Sequence, residues 1–122
     1  MHVLLSRLTD FHAALNDPLR LRLVRLLMER ELCVCELVQA LKIPQYKVSR
    51  HLGPLKKAGL VRGWREGTWI HYELAPSLPK PYKVTMRSLR ALWDLNPQIQ
   101  KDLKALRGAT KRTPNRREQI CR

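Results

Sequence analysis

Apolar positions along the chain fall first at helical spacing, then alternate, then return to helical spacing. Leu4, Leu8, Phe11 and Leu15 share one face of residues 3–15 and predict a first amphipathic helix. Asn16-Asp17-Pro18 then reads as a stop and a new start. Asp17 suits the N-cap, and Pro18 suits the first helical position, where a missing N–H costs nothing. The second helix carries Leu19, Leu23, Leu26 and Leu27 on one face, with Arg20, Arg22 and Arg25 away from its centre. Leu32 to Val34 is short and β-favouring, so a brief extended piece links to a third helix over about Cys35–Lys42. Ile43-Pro44 ends that helix, because a residue before Pro avoids the helical region. A fourth helix is predicted over about Gln45–Ala58, with Gly59 as its C′ stop.

Two short helices around a tight break form a helix-turn-helix pattern. From Leu60 to Leu74, LVRGWREGTWIHYEL predicts two strands around Glu66-Gly67-Thr68, with Gly67 supplying the turn. A helix-turn-helix followed by a basic hairpin is a winged helix. Pro76, Pro79 and Pro81 then mark a stiff linker. Tyr82, Met86, Leu89 and Trp93 share a face of a further helix over 82–93, and the segment to Arg107 extends it. From Gly108 the chain is polar and basic, with few apolar residues to order it. The expected organisation is one mainly α domain with a small β-hairpin over 1–107, followed by a flexible tail over 108–122. Gly53-Pro54 lies inside the fourth helix, so a kink or a restart at Pro54 is expected there.

Charge sharpens this picture. The 122 residues carry a formal charge of +14, which predicts a polyanionic partner, nucleic acid before anionic membrane. Seven cations (Lys42, Lys47, Arg50, Lys56, Lys57, Arg62 and Arg65) lie between Leu37 and Arg65, a stretch with no acid. On the fourth helix Val48, Leu52 and Leu55 point to the core. Gln45, Tyr46, Lys47, Ser49, Arg50 and Lys56 occupy the other faces, where they can read base edges or grip phosphates. Arg62, Arg65 and the Gly67 tip are placed to press on the backbone or minor groove. His51 is expected to pack or hydrogen-bond near the core rather than read a base. The competing reading is an ordinary solvated polar face. The acid-free stretch, the helix-turn-helix spacing and the basic hairpin weigh against it together. No run of 18 apolar residues and no secretory signal are present, so the expected location is the cytoplasm, without a membrane partner.

The thiols raise a separate question. The chain has three cysteines, and two of them lie in ELCVCEL at 31–37. On a regular helix i and i+2 point roughly 200° apart and cannot clasp one ion. In an extended stretch, or at a helix start, they can lie on one side. A soft guest held by Cys33 and Cys35 would therefore favour a local backbone other than full helix, at the entrance to the helix-turn-helix. Binding there would couple to DNA affinity. Two thiolates half-fill a tetrahedral zinc site, whereas three-coordinate arsenite or antimonite is easier to satisfy, with Cys121 as the candidate third ligand. Buried packing is the plain alternative for any of these cysteines.

These residues resemble the ArsR/SmtB family of metalloregulatory repressors. The matching features are Asp17-Pro18-Leu19-Arg20, ELCVCEL, Val48-Ser49-Arg50-His51-Leu52, Ala58-Gly59-Leu60-Val61, and the wing from Arg65-Glu66-Gly67 through Tyr72 and Leu74. The likeness spans about residues 10–93, and ELCVC is closest to the arsenic-responsive branch. It implies a homodimer built on the first and last helices, repression of a resistance operon on double-stranded operator DNA, and release when As(III) or Sb(III) binds the cysteines. Two departures stand out. A third cysteine often follows three residues after the second, and here that position is Val38. Other members bind zinc through His and carboxylates on the last helix, and 80–107 contains no His. The same repressor answering Cd(II), Pb(II), Zn(II) or thiol oxidation is the second reading. An enzyme of arsenic metabolism is a distant third, because no phosphate-cradling loop, CxxC or Ser/His/Asp set is present. No catalysis and no organic cofactor are expected.

Overall fold

The computed structural model describes residues 4–110. Within them the chain runs α1 (Leu5–Ala14), α2 (Pro18–Leu27), β1 (Leu32–Cys33), α3 (Val34–Leu41), α4 (Gln45–Lys57), β2 (Val61–Glu66), β3 (Trp69–Leu74), α5 (Lys80–Trp93) and α6 (Pro97–Thr110). Local chemistry sets most boundaries. Asp17 caps α2 by accepting the Arg20 N–H at 3.0 Å, and Pro18 takes the first position. Arg20 then turns back and donates to the Ala14 carbonyl at 2.7 Å, fixing the α1–α2 corner. Lys42 ends α3 in the left-handed region at φ 56°. Gly59, at φ +81°, ends α4 with two return hydrogen bonds, Gly59 N–H to Lys56 and Leu60 N–H to Leu55. That pair is the Schellman arrangement, which needs a residue tolerant of positive φ. Between β2 and β3 a two-residue turn places Gly67 at φ +62°, as a II′ hairpin requires.

The sheet has three strands in the order β1-β3-β2, all antiparallel. Its third member exceeds expectation, for Leu32 and Cys33 are more than a connector. They pair with Tyr72 and His71 of the wing. Under the sheet lies the core, in which Leu23, Leu26, Leu32, Leu37, Leu52, Leu55 and Leu60 are all fully buried. Each such side chain contributes about 1.5–3 kcal/mol by leaving water. Val48, Leu52 and Leu55 anchor α4, as their i, i+4, i+7 spacing predicts.

Four expectations change. Arg25 is not on an open face. It is 3% exposed and bound by Asp94 at 2.6 and 3.0 Å and by Glu29 at 3.1 Å. The segment after Trp93 does not extend α5, because the chain turns at Asp94–Asn96 and starts α6. Asn96 caps α6 by accepting the Gln98 and Ile99 N–H groups at 2.9 and 3.1 Å. α6 docks on α3 and α2 through Ile99, Leu103 and Leu106. It also runs through Gly108 to Thr110, past the expected start of the tail, and residues 111–122 lie outside the described range. Finally, α4 does not restart at Pro54; the proline sits inside one helix. Its lost hydrogen bond falls on an exposed side, in the last turn, after the reading half.

Candidate nucleic-acid interface and thiol site

α4 begins without a side-chain cap. The positive end of its dipole lies beside Gln45, Tyr46 and Lys47, all exposed. Ser49, Arg50 and Lys56 are exposed on the same helix, with Tyr46 65% open. None of Lys47, Arg50 and Lys56 has an ion pair among the described residues. His51 turns inward, half-buried, with its Nδ1 3.6 Å from Asp17 Oδ2. Burial would raise the Asp17 carboxyl, but the Arg20 N–H and the charges of His51 and Arg20 outweigh it and hold the group below its usual range.

The wing adds Arg65 and Gly67, both exposed at its end. Arg62 is less available than expected. Its Nε donates to Glu73 across the strands at 2.7 Å, and its guanidinium lies 5.4 Å over the Trp64 ring. Trp64 in turn stacks on His71 at 5.5 Å and donates its indole N–H to Glu66 at 3.2 Å. Gly63 has a steric duty: a Cβ there would meet the Tyr72 ring at 2.7 Å. The ring of its cross-strand partner covers the glycine and stiffens the hairpin.

Cys33 occupies the joint between sheet and helix. Its backbone is extended, with φ −78° and ψ 158°, and its side chain is fully buried. The sulfur accepts the Glu36 N–H at 3.4 Å, and the Glu36 carboxylate accepts the Cys33 N–H at 3.1 Å. This is a capping box with sulfur in place of a hydroxyl. Arg30 donates to the other Glu36 oxygen at 2.8 Å, so the box is locked from outside. Cys35 is half-buried in the first turn of α3, and its sulfur is disulfide-bonded. Cys33 is thus the N-cap of α3 and Cys35 lies in its first turn. No cluster of three His, Cys, Asp or Glu suited to a metal occurs among the described residues. Cys121 lies outside them.

Two participants were not singled out from sequence. Glu36 had a local signal: Cys33-Val34-Cys35-Glu36 follows the capping-box spacing once sulfur is allowed as the acceptor. His71 had none, because only the β1–β3 pairing brings it beside Cys33.

Residues 17–62 match the profile of the bacterial regulatory proteins of the arsR family. The arsenic resistance transcriptional regulator ArsR1 of Pseudomonas putida is 46% identical over 67 residues, covering 54% of this chain and 52% of that protein. An uncharacterized HTH-type transcriptional regulator of Methanocaldococcus jannaschii is 43% identical over 68 residues, covering 55% of this chain and 76% of that one. Among solved structures, HlyU from Vibrio cholerae superposes with a TM-score of 0.64 at 27% identity, covering 72% of this chain and 92% of that one. The match thus spans about half the length of the Pseudomonas relative and three quarters of the archaeal one. With α3 and α4 as the helix-turn-helix and β2–β3 as the wing, the chain belongs to the ArsR family.

Proposed function

We propose that this protein is a homodimeric repressor of the ArsR/SmtB type, which holds operator DNA through α4 and the wing and releases it when As(III) or Sb(III) binds Cys33 and Cys35. The observation that carries the reading is the double role of Cys33. Its sulfur caps α3, and its backbone pairs with His71 of the wing. A thiophile that takes the sulfur removes the cap, which is worth about 1 kcal/mol, and releases the Glu36 box with it. It also pulls on the strand joined to His71, Trp64 and the wing end. The first helix of the helix-turn-helix and the wing therefore meet at one buried residue, Cys33. The third ligand is Cys121 or an exogenous thiol.

DNA binding is supported by the acid-free, exposed faces of α4. Gln45, Tyr46, Lys47, Ser49 and Arg50 lie in the half that would enter the major groove, and Lys56, Arg62, Arg65 and Gly67 flank it. Pairing of two chains is supported by exposed Leu4 and Leu5 at the start of α1 and Val84 and Leu92 on α5. These helices already meet through stacked Phe11 and Tyr82 rings at 3.8 Å. Thiol oxidation is the second reading, because Cys35 stands half-buried in the first turn of α3, two residues from the Cys33 cap. No helix among the described residues is long and apolar enough to cross a membrane.

The test is operator binding by fluorescence anisotropy, with fully reduced protein, in the presence of arsenite, cadmium or peroxide. Arsenite is expected to release wild-type protein. Cys33→Ser is expected to bind DNA, since serine caps a helix well, and to ignore arsenite. Equal release of wild type and Cys33→Ser by arsenite would remove this site from the mechanism. Release by peroxide alone would move the assignment to oxidation.

A further inference from the structure

A second site, unrelated to the thiols, lies where the wing returns to α5. A cavity of about 270 Å³ opens between the end of α2, the end of β3 and one side of α5. Its floor is apolar: Met28, Leu74, Leu78 and Met86. Its rim is cationic, formed by Lys83, Arg87 and Arg90, and no acid lines it. The Lys83 ammonium is occupied, donating to the Pro76 carbonyl at 2.7 Å. Arg87 and Arg90 have no ion pair among the described residues. The nearby acids Asp94 and Glu29 are both held by Arg25.

Nearby on α2, Arg22 and Arg25 are each matched by a carboxylate. Here two guanidiniums border an apolar hollow whose lining holds no carboxylate, and Asp94, which also feels the charge of Arg90, is hydrogen-bonded to Arg25. We propose that this cavity binds a small amphipathic monocarboxylate, with its carboxylate on Arg87 and Arg90 and its apolar body against Met28 and Met86. A guanidinium fork matches a carboxylate, and methionine side chains adapt to either an aromatic or an aliphatic body. At about 30 Å³ for each water, 270 Å³ equals roughly nine waters, which suits an acid of about that many heavy atoms. Pairing through α5 leaves the mouth reachable. At 3.6 residues per turn, the Lys83–Arg87–Arg90 side is roughly 90° from Val84 and roughly 170° from Leu92, the exposed α5 residues assigned to pairing above.

The experiment needs neither DNA nor the thiols, so its outcome is independent of the proposed repressor function. The full chain is labelled with 13C at the methionine methyls, and Met28→Leu and Met86→Leu assign the signals. Benzoate, hexanoate, acetate and benzyl alcohol are titrated at constant ionic strength. Saturable shifts of both the Met28 and Met86 methyls with benzoate or hexanoate are expected, the stronger of the two fixing the kind of apolar body. Acetate lacks the body and benzyl alcohol lacks the charge, and each should need at least about tenfold higher concentration. Arg87→Gln with Arg90→Gln should weaken the acid about tenfold. The proposal is overturned by no saturable shift with either acid, by benzyl alcohol matching benzoate, or by unchanged affinity in the folded double variant. Should that variant fail to fold, the wild-type comparison of benzoate with benzyl alcohol decides.

Discussion

Arg22 and Arg25 of α2 are held against acids at the edge of the core, whereas the cations of α4 stand on exposed faces of a helix that contains no acid. Arg22 lies in a fork with Asp102 of α6 at 2.8 and 2.9 Å, and it also reaches the Leu41 carbonyl at 3.4 Å. Arg25 is held by Asp94 and Glu29. Lys47, Arg50 and Lys56 have no such company. With 24 basic residues and 10 acidic ones, the chain spends part of its few carboxylates inside. The acids join α2 to α5 and α6, and α4 keeps its cations without ion-pair partners among the described residues. Identical side chains thus act as struts in one half and as an exposed cationic field in the other.

Removing a strut should have the largest effect. Asp102→Ala leaves Arg22 without its partner next to the core, at a cost of roughly 3 kcal/mol, the low end for a broken buried pair because Arg22 is 18% exposed. Urea unfolding reads the loss, and operator affinity of the still-folded fraction should not change. A stable Asp102→Ala protein would break the comparison. Arg50→Ala should do the reverse, weakening operator binding by about 1–3 kcal/mol and relaxing one base position, with unfolding shifted by less than about 0.5 kcal/mol.

Acid offers a subtler lever. The Arg25 hydrogen bonds hold the Asp94 carboxyl below its ordinary 3.8, outweighing burial. A group depressed on folding contributes stability that is fully present above about pH 3.8 and is lost as pH falls through the lower folded value. Unfolding measured between pH 6 and 2 should therefore decline more steeply in wild type than in Asp94→Asn. Parallel curves would deny the strut its charge. The smallest effect belongs to Lys56→Ala, which should lower the slope of log affinity against log salt by about 1 and leave sequence preference alone.

Local patterns disclose most of the fold. Asp17-Pro18, Gly59 and Gly67 mark boundaries through backbone geometry, and Val48, Leu52 and Leu55 mark a buried face by their period. What escapes the sequence is carried by long-range partners. Arg25 looks like a surface residue on α2, because Asp94, 69 positions later, supplies the charge that admits it to the interior. β1 looks like a connector, because two residues have too little pattern to announce a strand and their partners lie in the wing. The candidate reading surface was legible in large part, except that Arg62 turns out to be engaged with Glu73. The cysteine pair was legible as a motif, while its attachment to His71 was not.

That two-residue strand also bears on engineering. A designer grafting this hairpin onto another scaffold to change operator preference would sever Leu32–Tyr72 and Cys33–His71 unless the ELC segment travelled with it. The cysteine segment and the hairpin share a seam, so the smallest exchangeable cassette is Glu31 through Leu74 rather than the hairpin alone.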